Sequence, residues 1–504
     1  MSKSNTIAGA RDLVTTTPIS AKDEQDTAFD TGPSSTPPHS VYSRNEKWLL
    51  VGFVGVAGLF SPLPANIYFP AIPALTTVFH RSVADLNLTV TIYLVLQGVS
   101  PMLWGPLSDR YGRRPLFLIC LLILIGSSLG LALCPTSAFW LLLLLRALQA
   151  GGCASTIALG AGVIGDIATV DERGSFFGYF NLGPMLAPCI GPAIGGALSQ
   201  YLGWRSIFWF LVIFAVACFT MLLLFLPETM RSLVGNGSIK PTHFAYKPLV
   251  PIFKTATTPP APKVIQGKKN SVNPFRLFCY RDIILTLTYT GIVYAVNYTI
   301  TSTISSSYAV KYPWLSETII GICYLSTGAG MVLGSTINGK LLDYDLARIK
   351  RRRTESCSDC CVDPDTDLPI EYARLRMIPG LLIIFVASAV GWGWCIEKGV
   401  SVAGPLVLQV ILGYTSIAIL NSTMTLMIDL VKRQSSGVIA CTNFVRCSLA
   451  AILVALIDMA TARLGYGWTY TLLGGFCSLL IGVVYAEIHW GPAWRRERDS
   501  DELL

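Results

Sequence analysis

Twelve apolar runs, each long enough to cross a lipid bilayer as a helix, constrain the fold of this chain more than any other feature. A transmembrane helix needs about 20 predominantly apolar residues. Of the 504 residues, 52% are hydrophobic and only 13% are charged, whereas a soluble domain carries about 25% charged residues. The predicted spans are 48–70, 86–104, 115–134, 138–163, 175–198, 206–226, 283–308, 318–338, 377–395, 403–430, 438–460 and 468–488. The chain is therefore predicted to be an all-α membrane protein.

The net charge of +8 follows the sides of the predicted membrane and does not indicate a nucleic-acid partner. Most Lys and Arg residues lie in segments on one side of the spans. The basic residues assigned to the opposite side are Arg81, Arg205, Lys311, Lys398 and Arg463. Because basic loops stay in the cytosol, both termini are predicted to be cytosolic. Residues 1–47 lack the apolar core of a signal peptide, and their Pro- and Ser-rich composition is typical of a disordered tail.

The spans fall into two groups of six, separated by a long basic loop. This loop contains a Thr-Thr-Pro-Pro-Ala-Pro run, which is typical of a flexible tether. The predicted segments are a cytosolic N-terminal tail (1–47), an N-terminal six-helix bundle (48–226), a cytosolic linker loop (227–282), a C-terminal six-helix bundle (283–488) and a cytosolic C-terminal tail (489–504).

The short loop between the second and third spans carries the pattern G-x-L-S-D-R-x-G-R-R. Gly105 and Gly112 permit a tight turn, and Asp109 can offset part of the charge of Arg110 and Arg113. The pattern resembles the loop 2–3 signature of the major facilitator superfamily of twelve-helix transporters. The alternative is a basic loop that only fixes topology. We hypothesise a gating motif in which Asp109 and Arg113 clamp the second span to a helix of the other half in one state.

An internal repeat supports two related halves. After the eighth span, the string from Gly339 to Asp343 matches the string from Gly105 to Asp109 in spacing, so Asp343 is assigned to the same gating motif. Parallel repeats are expected of two six-helix halves that rock around a site at the membrane midplane. We predict a major facilitator fold with two pseudo-symmetric six-helix bundles.

The fifth span is rich in small residues, which let two helices approach backbone to backbone. Its string resembles the antiporter motif of facilitator exporters, with Ala187 in place of one glycine. The resemblance favours export by exchange, although packing without directional meaning is the alternative. The residues assigned to this packing motif are Gly178, Gly191, Pro192, Gly195 and Gly196.

Several further strings are similar to those of fungal drug:proton antiporters, closest to the quinidine-resistance type, and this resemblance covers about 48–490. They are Asn66-Ile-Tyr68-Phe-Pro, Gly203-Trp-Arg, Pro227-Glu228-Thr and Asn443-Phe-Val-Arg446. The prolines of the first span predict either a kinked helix that lines a cavity or a helix that ends early. This span contains no acid, so we assign no proton carrier to it.

Two arginines lie deep inside predicted spans. Arg146 belongs to an R-x-x-Q string with Gln149, which resembles another superfamily motif, and Arg446 follows Asn443 by one helical turn. Charge at that depth is costly unless it borders water or a partner, although Arg146 could also snorkel to the surface. Because the guanidinium group suits carboxylate binding, we hypothesise that substrates include anionic or carboxylate-bearing compounds.

Polar and aromatic residues share one face of the seventh span and one face of the tenth. Tyr294, Asn297 and Tyr298 follow helical spacing in the seventh span, and Tyr414 and Asn421 do so in the tenth. Such faces suit an amphipathic substrate, and contact between helices is the alternative. Both faces are assigned to the substrate or proton pathway. The other residues assigned to it are Asn66, Tyr68, Arg146, Gln149, Asn443 and Arg446.

The sequence lacks the motifs of ATP-driven pumps and of hydrolases: there is no Walker A string, no HExxH and no Ser/His/Asp grouping. Cys357, Cys360 and Cys361 cluster in a cytosolic loop without a fourth metal ligand. The chain is therefore predicted not to be an enzyme, and we assign it no cofactor and no metal.

The resulting hypothesis is a monomeric, proton-coupled efflux antiporter that exports drugs, toxins or a secondary metabolite by alternating access. A transporter of small organic anions such as dicarboxylates is the alternative, and a membrane sensor on the same scaffold is a more remote one. The predicted location is the plasma membrane. The vacuolar or endosomal membrane comes second, because Asp499 to Leu504 fits an acidic dileucine sorting pattern.

Overall fold

The computed structural model describes residues 40–239, 241, 243–253, 274–356, 370–431 and 435–501. Most of the predicted N-terminal tail, much of the linker loop, the Cys357, Cys360 and Cys361 cluster, and Leu503 and Leu504 lie outside the described residues. Predictions about those segments therefore remain predictions.

The described chain contains eleven helical segments that are long and apolar enough to cross a membrane. The last of them, Gly437–Arg498, contains Gly465 with non-helical dihedral angles (φ 77, ψ 168), so it is two helices. The helices are α1 (Arg44–Phe79), α2 (Val83–Tyr111), α3 (Arg113–Ala132), α4 (Phe139–Ile167), α5 (Val170–Leu202), α6 (Arg205–Phe225), α7 (Arg281–Lys311), α8 (Glu317–Ser356), α9 (Ile370–Lys398), α10 (Ala403–Leu430), α11 (435–464) and α12 (466–501). The predicted all-α membrane architecture is confirmed.

Helix α1 continues beyond the predicted end of the first span, through a proline-rich centre that divides it. Its segments are Arg44–Leu59, Leu63–Asn66, Phe69–Ala71 and Ile72–Phe79. Polar side chains from other helices satisfy the carbonyl groups that the breaks release: the Ser61 carbonyl accepts from Tyr93 (3.0 Å) and Gln97 (3.2 Å). The Pro64 carbonyl accepts from Arg146 (3.0 Å). Broken backbone is tolerated at membrane depth only with such partners.

The helices α1–α6 and α7–α12 meet mainly through α5 against α8 and α2 against α11. At the predicted extracellular ends, Asn87 of α2 donates a hydrogen bond to Asp458 of α11 (2.6 Å), and the ring of Phe69 packs against those of Tyr298 and Tyr324. We call these contacts the outer contact. The two halves are therefore closed against each other on this side.

Candidate transport site

A small cavity of about 70 Å³ lies between the two halves. It holds no more than a few waters, because ligand sites usually measure about 300–1,000 Å³. A substrate can therefore enter only if the halves separate. The predicted pathway residues that line the cavity are Asn66, Tyr294, Asn297 and Tyr298. Gln97, Tyr324 and Thr327 also line it and were not predicted.

Arg146 is fully buried next to this region and is held by groups of its own half. One guanidinium nitrogen donates to the Pro64 carbonyl (3.0 Å) and to the side chain of Gln149 (2.8 Å). Its guanidinium carbon lies 4.3 Å from the ring centroid of Tyr68 and 4.6 Å from that of Tyr93. These rings supply cation–π attraction, but Nε and Nη2 have no hydrogen-bond partner. The snorkelling alternative does not fit this burial.

Arg446 is only half-buried and lies beside the cavity. Its guanidinium carbon lies 4.3 Å from the ring centroid of Tyr294, which lines the cavity, and Nη2 donates to Asn443 (3.0 Å). Asn443 in turn donates to the Gln97 carbonyl of α2 (2.9 Å), across the boundary between the halves. Arg446 thus belongs to a polar group that spans both halves.

Neither arginine forms an ion pair with any carboxylate in the described part of the chain. A buried positive charge without a counterion is costly in a low-dielectric interior. The cation–π contacts offset only part of that cost, at about 2 kcal/mol each when desolvated. The inter-half region therefore has an excess of positive charge, which favours an anionic guest.

Other predicted pathway residues lie away from the cavity. Gln149 donates to Ser128 (2.9 Å) and is fully buried, and Tyr68 contacts the hydroxyl of Thr89 (3.1 Å). In α10, Asn421 donates to Ser335 of α8 (3.3 Å).

Tyr414 also packs against α8, because a Cβ at Gly334 would lie 3.0 Å from its Cα. The tenth-span face therefore contacts another helix, which was the alternative considered for it.

The gating motif forms an ion-pair cluster within the N-terminal half. Arg113 pairs with Asp109 (2.7 Å) and with Asp166 of α4 (3.2 Å), and it donates to Ser108 (2.5 Å). Asp109 is 67% exposed, whereas Asp166 is only 15% exposed. No described ion pair joins this motif to the other half, so the clamp remains a prediction for another conformational state.

The remaining predicted members of the motif differ in their surroundings. Arg110 is exposed and its guanidinium carbon lies 5.4 Å from the ring of Tyr111, while Gly105 has open space where a side chain would be. Gly112 has a φ of 98, and an added Cβ would lie 2.5 Å from Glu228. Asp343 lies in α8, and its side chain is outside the described residues.

Glu228 anchors this motif, a role that sequence reasoning missed. Its carboxylate is 2% exposed and accepts the backbone N–H groups of Arg113 (2.9 Å) and Arg114 (3.2 Å). It also accepts those of Thr229 and Met230, both at 3.0 Å. Four N–H donors stabilise this buried carboxylate, and the Arg114 guanidinium adds electrostatic attraction. In the sequence, only the similarity of the string Pro227-Glu228-Thr to fungal antiporters pointed to this residue. That similarity did not indicate where Glu228 lies in the fold.

Substitutions of Asp109 and Arg113, which form an ion pair in the gating motif, are predicted to differ in the size of their effects. Asp109→Asn is expected to lower transport with near-normal surface expression, because an exposed pair contributes only about 0–1 kcal/mol to stability. Arg113→Ala is expected to lower both transport and surface expression, since it removes the ion pair of the shielded Asp166 with Arg113. Flux and surface biotinylation would measure the two effects. Normal flux in both variants would reduce the motif to a topology signal.

The small residues of α5 contact two different partners. Gly195 approaches the Ile67 carbonyl of α1, and Gly191 lies close to Leu63 of the same helix. Gly196 approaches the Glu317 carbonyl of α8, in the other half.

Pro192 also contributes to this contact through its carbonyl, which Gly321 of α8 approaches. Gly178 is exposed and has no atom within 4 Å of an added Cβ, so the packing prediction does not apply there.

Sequence reasoning also missed a buried carboxyl in α12. Glu487 is 0% exposed and contacts the hydroxyl of Thr286 in α7. The same end of the half contains the buried ion pair of Arg498 with Asp282 (2.5 Å) and that of Arg495 with Glu371 (3.5 Å). The available signal was the acid itself, because an ionisable residue in an apolar span is a functional candidate by default.

The family model of the Major Facilitator Superfamily matches residues 54–455. The chain belongs to this superfamily. It is 35% identical over 477 residues to Citrate exporter 1 of Aspergillus niger, covering 92% of this chain and 90% of that one. It is 32% identical over 467 residues to the MFS antiporter QDR1 of Candida albicans, covering 91% of each.

Among solved structures, the human organic anion transporter MFSD10 superposes with a TM-score of 0.54 at 16% identity, covering 87% of this chain and 99% of that one. This likeness concerns the fold. The chain is thus a membrane transporter and not an enzyme, and its relatives support efflux, because they include a citrate exporter and an antiporter.

Proposed function

We propose that this superfamily member exports small organic compounds that include carboxylate-bearing molecules, in exchange for protons. The observation that carries the proposal is Arg446, a half-buried guanidinium without a carboxylate partner beside the cavity between the halves. Arg146, fully buried nearby, adds to the positive potential. An anionic guest would supply the missing counter-charge.

The name of one relative supports a negatively charged substrate. Citrate exporter 1 of Aspergillus niger is named for a tricarboxylate, and it matches nearly the whole of this chain. The cavity walls also contain Tyr294, Tyr298 and Tyr324, whose rings give a guest apolar contact area. A drug-sized amphipathic substrate is therefore the second candidate.

A proton gradient is the energy source in this proposal, because the sequence carries no Walker A string of an ATP-driven pump. The proposal includes a monomer in the plasma membrane with both termini in the cytosol; the distribution of the basic residues supports the cytosolic termini. Flux measured in sealed vesicles with and without a pH gradient tests the coupling. Equal flux under both conditions would contradict it, and absence of flux for any solute would favour a sensor.

Substrate charge is tested by comparing transport of a carboxylate with that of its neutral methyl ester. Arg446→Gln is expected to lower the acid-to-ester flux ratio about tenfold, because a charge-assisted hydrogen bond contributes about 1.5–3 kcal/mol. Arg146→Gln is expected to lower both fluxes, since Arg146 also supports the break in α1 at Pro64. Arg463→Gln is the matched control, because Arg463 is an exposed arginine in the same helix as Arg446.

An unchanged acid-to-ester ratio in both Arg446→Gln and Arg146→Gln would show that the arginines are structural. The anion proposal would then be abandoned, while export of neutral or cationic compounds would stand.

A further inference from the structure

The outer contact contains a carboxyl group at the boundary between the two halves. Asp458 lies near the extracellular end of α11, two turns before the break at Gly465. Its Oδ2 accepts a hydrogen bond from Nδ2 of Asn87, at 2.6 Å, and Asn87 lies in the first turns of α2. This bond joins helices that must separate whenever the outer side opens.

Asn87 is only 1% exposed, and its carbonyl oxygen Oδ1 has no hydrogen-bond partner. A buried acceptor without a donor costs about 1–3 kcal/mol. The neighbouring group is the carboxyl of Asp458, which as a carboxylate can only accept. The contact is therefore one donor short when Asp458 is ionised.

The surroundings of Asp458 do not supply a counterion. No basic group forms an ion pair with it in the part of the chain that the structure describes, and its one side-chain partner is Asn87. The titratable groups that interact with it electrostatically are Tyr466 and Tyr470 of α12. The nearest ionisable residues along the two contacting helices are Asp85 on α2 and Arg463 on α11.

We propose that Asp458 and Asn87 form a proton-binding site, at which a proton from the external solution favours closure of the outer contact. The proton binds to the free carboxylate oxygen of Asp458, and the new O–H donates to Oδ1 of Asn87. The Nδ2 group of Asn87 continues to donate to Oδ2 of Asp458. Protonation thus removes a charge that closure would desolvate and completes a pair of hydrogen bonds.

The proposal deepens the proposed proton-coupled transport and rests on it for the alternation of open and closed states. It assigns to external protons the step from outward-open to outward-closed. Each proton linked to closure makes the open-to-closed ratio rise by up to about tenfold per pH unit.

The ratio is measured by fluorescence energy transfer between dyes on non-natural amino acids at Thr136 and Val400. Both positions are exposed, and they lie in the predicted outer loops of opposite halves. The full-length protein is placed in nanodiscs, where both faces share one pH, and is observed over a pH series. The wild type is expected to be closed at low pH and to open as the pH rises.

Asp458→Asn keeps the shape and both hydrogen bonds of the protonated pair, so it is expected to stay closed and to lose the pH dependence. The exchanged double variant, Asn87→Asp with Asp458→Asn, again places one carboxyl opposite one amide. Its energy transfer is expected to depend on pH as in the wild type. Asp85→Asn, which neutralises the half-buried neighbouring acid, is the control and should behave as wild type.

The proposal would be overturned if energy transfer still depended on pH in Asp458→Asn, or if this dependence did not return in the exchanged variant. So would a wild type whose energy transfer does not change with pH. Vesicle flux distinguishes the proposal of proton-coupled transport from that of the Asp458 site. Proton-driven flux together with pH-independent energy transfer would contradict only the Asp458 site. Flux that does not depend on the pH gradient, together with pH-dependent energy transfer, would contradict only the proposal that transport is coupled to protons.

Discussion

Replacing Glu228 by alanine is expected to lower the surface amount of this transporter more than tenfold. The change leaves four backbone N–H groups without their acceptor, among them those of Arg113 and Arg114 at the turn between α2 and α3. Each unsatisfied buried donor costs about 1–3 kcal/mol. The sum is comparable to the whole stability of a typical domain, about 5–15 kcal/mol.

Glu228→Gln is expected to have an intermediate effect. Its one remaining carbonyl oxygen can still accept the N–H groups that Oε1 now accepts, but its amide group would face the N–H of Arg114. Asp109→Ala is the matched control, because Asp109 is a carboxylate of the same turn that is 67% exposed and its partner Arg113 keeps Asp166. Surface biotinylation and the midpoint of thermal unfolding in detergent would measure the difference. A normal surface amount of Glu228→Ala would contradict this role.

Alanine at Gly195 and at Gly196 is expected to have two different effects, although the residues are adjacent. A Cβ at Gly195 would overlap the Ile67 carbonyl oxygen of α1, within the same half, so this variant should fold poorly. A Cβ at Gly196 would overlap the Glu317 carbonyl oxygen of α8, across the two halves. That variant should reach the surface in near-normal amounts but lose most of its transport, because the outer side cannot close.

Gly178→Ala serves as the control for both, since it adds a methyl group to the same helix where no atom lies within 4 Å. It should retain normal expression and flux, because alanine is a better helix former than glycine. Combined flux and surface measurements distinguish folding from closure. If Gly195→Ala and Gly196→Ala had the same ratio of flux to surface amount, the assignment of the two glycines to different interfaces would be wrong.

The apolar spans, the all-α architecture and the membership of the superfamily could be predicted from the sequence. These properties depend on local quantities: the length of each apolar run, the spacing of motif residues and the side on which basic residues lie. The limits of the helices were less predictable. The predicted spans 48–70 and 318–338 correspond to Arg44–Phe79 and Glu317–Ser356, because a helix with capped or solvated ends continues beyond the hydrocarbon.

The candidate site could be predicted only in part. Asn66, Tyr294, Asn297 and Tyr298 line the cavity as their helical spacing suggested, whereas Gln149 forms hydrogen bonds inside its own half. Spacing along a helix determines which residues share a face. It does not determine whether that face meets the cavity, lipid or another helix.

The sequence by itself determined that this protein is built from apolar membrane-spanning helices and which motifs these helices carry. Only the tertiary structure decided which polar groups meet: Glu228 with the turn of the gating motif, and Asn87 with Asp458, which are 371 residues apart. The physical reason is that a buried hydrogen bond or ion pair depends on contacts between helices from distant parts of the chain. Hydrophobic length and local charge contain no information about that pairing.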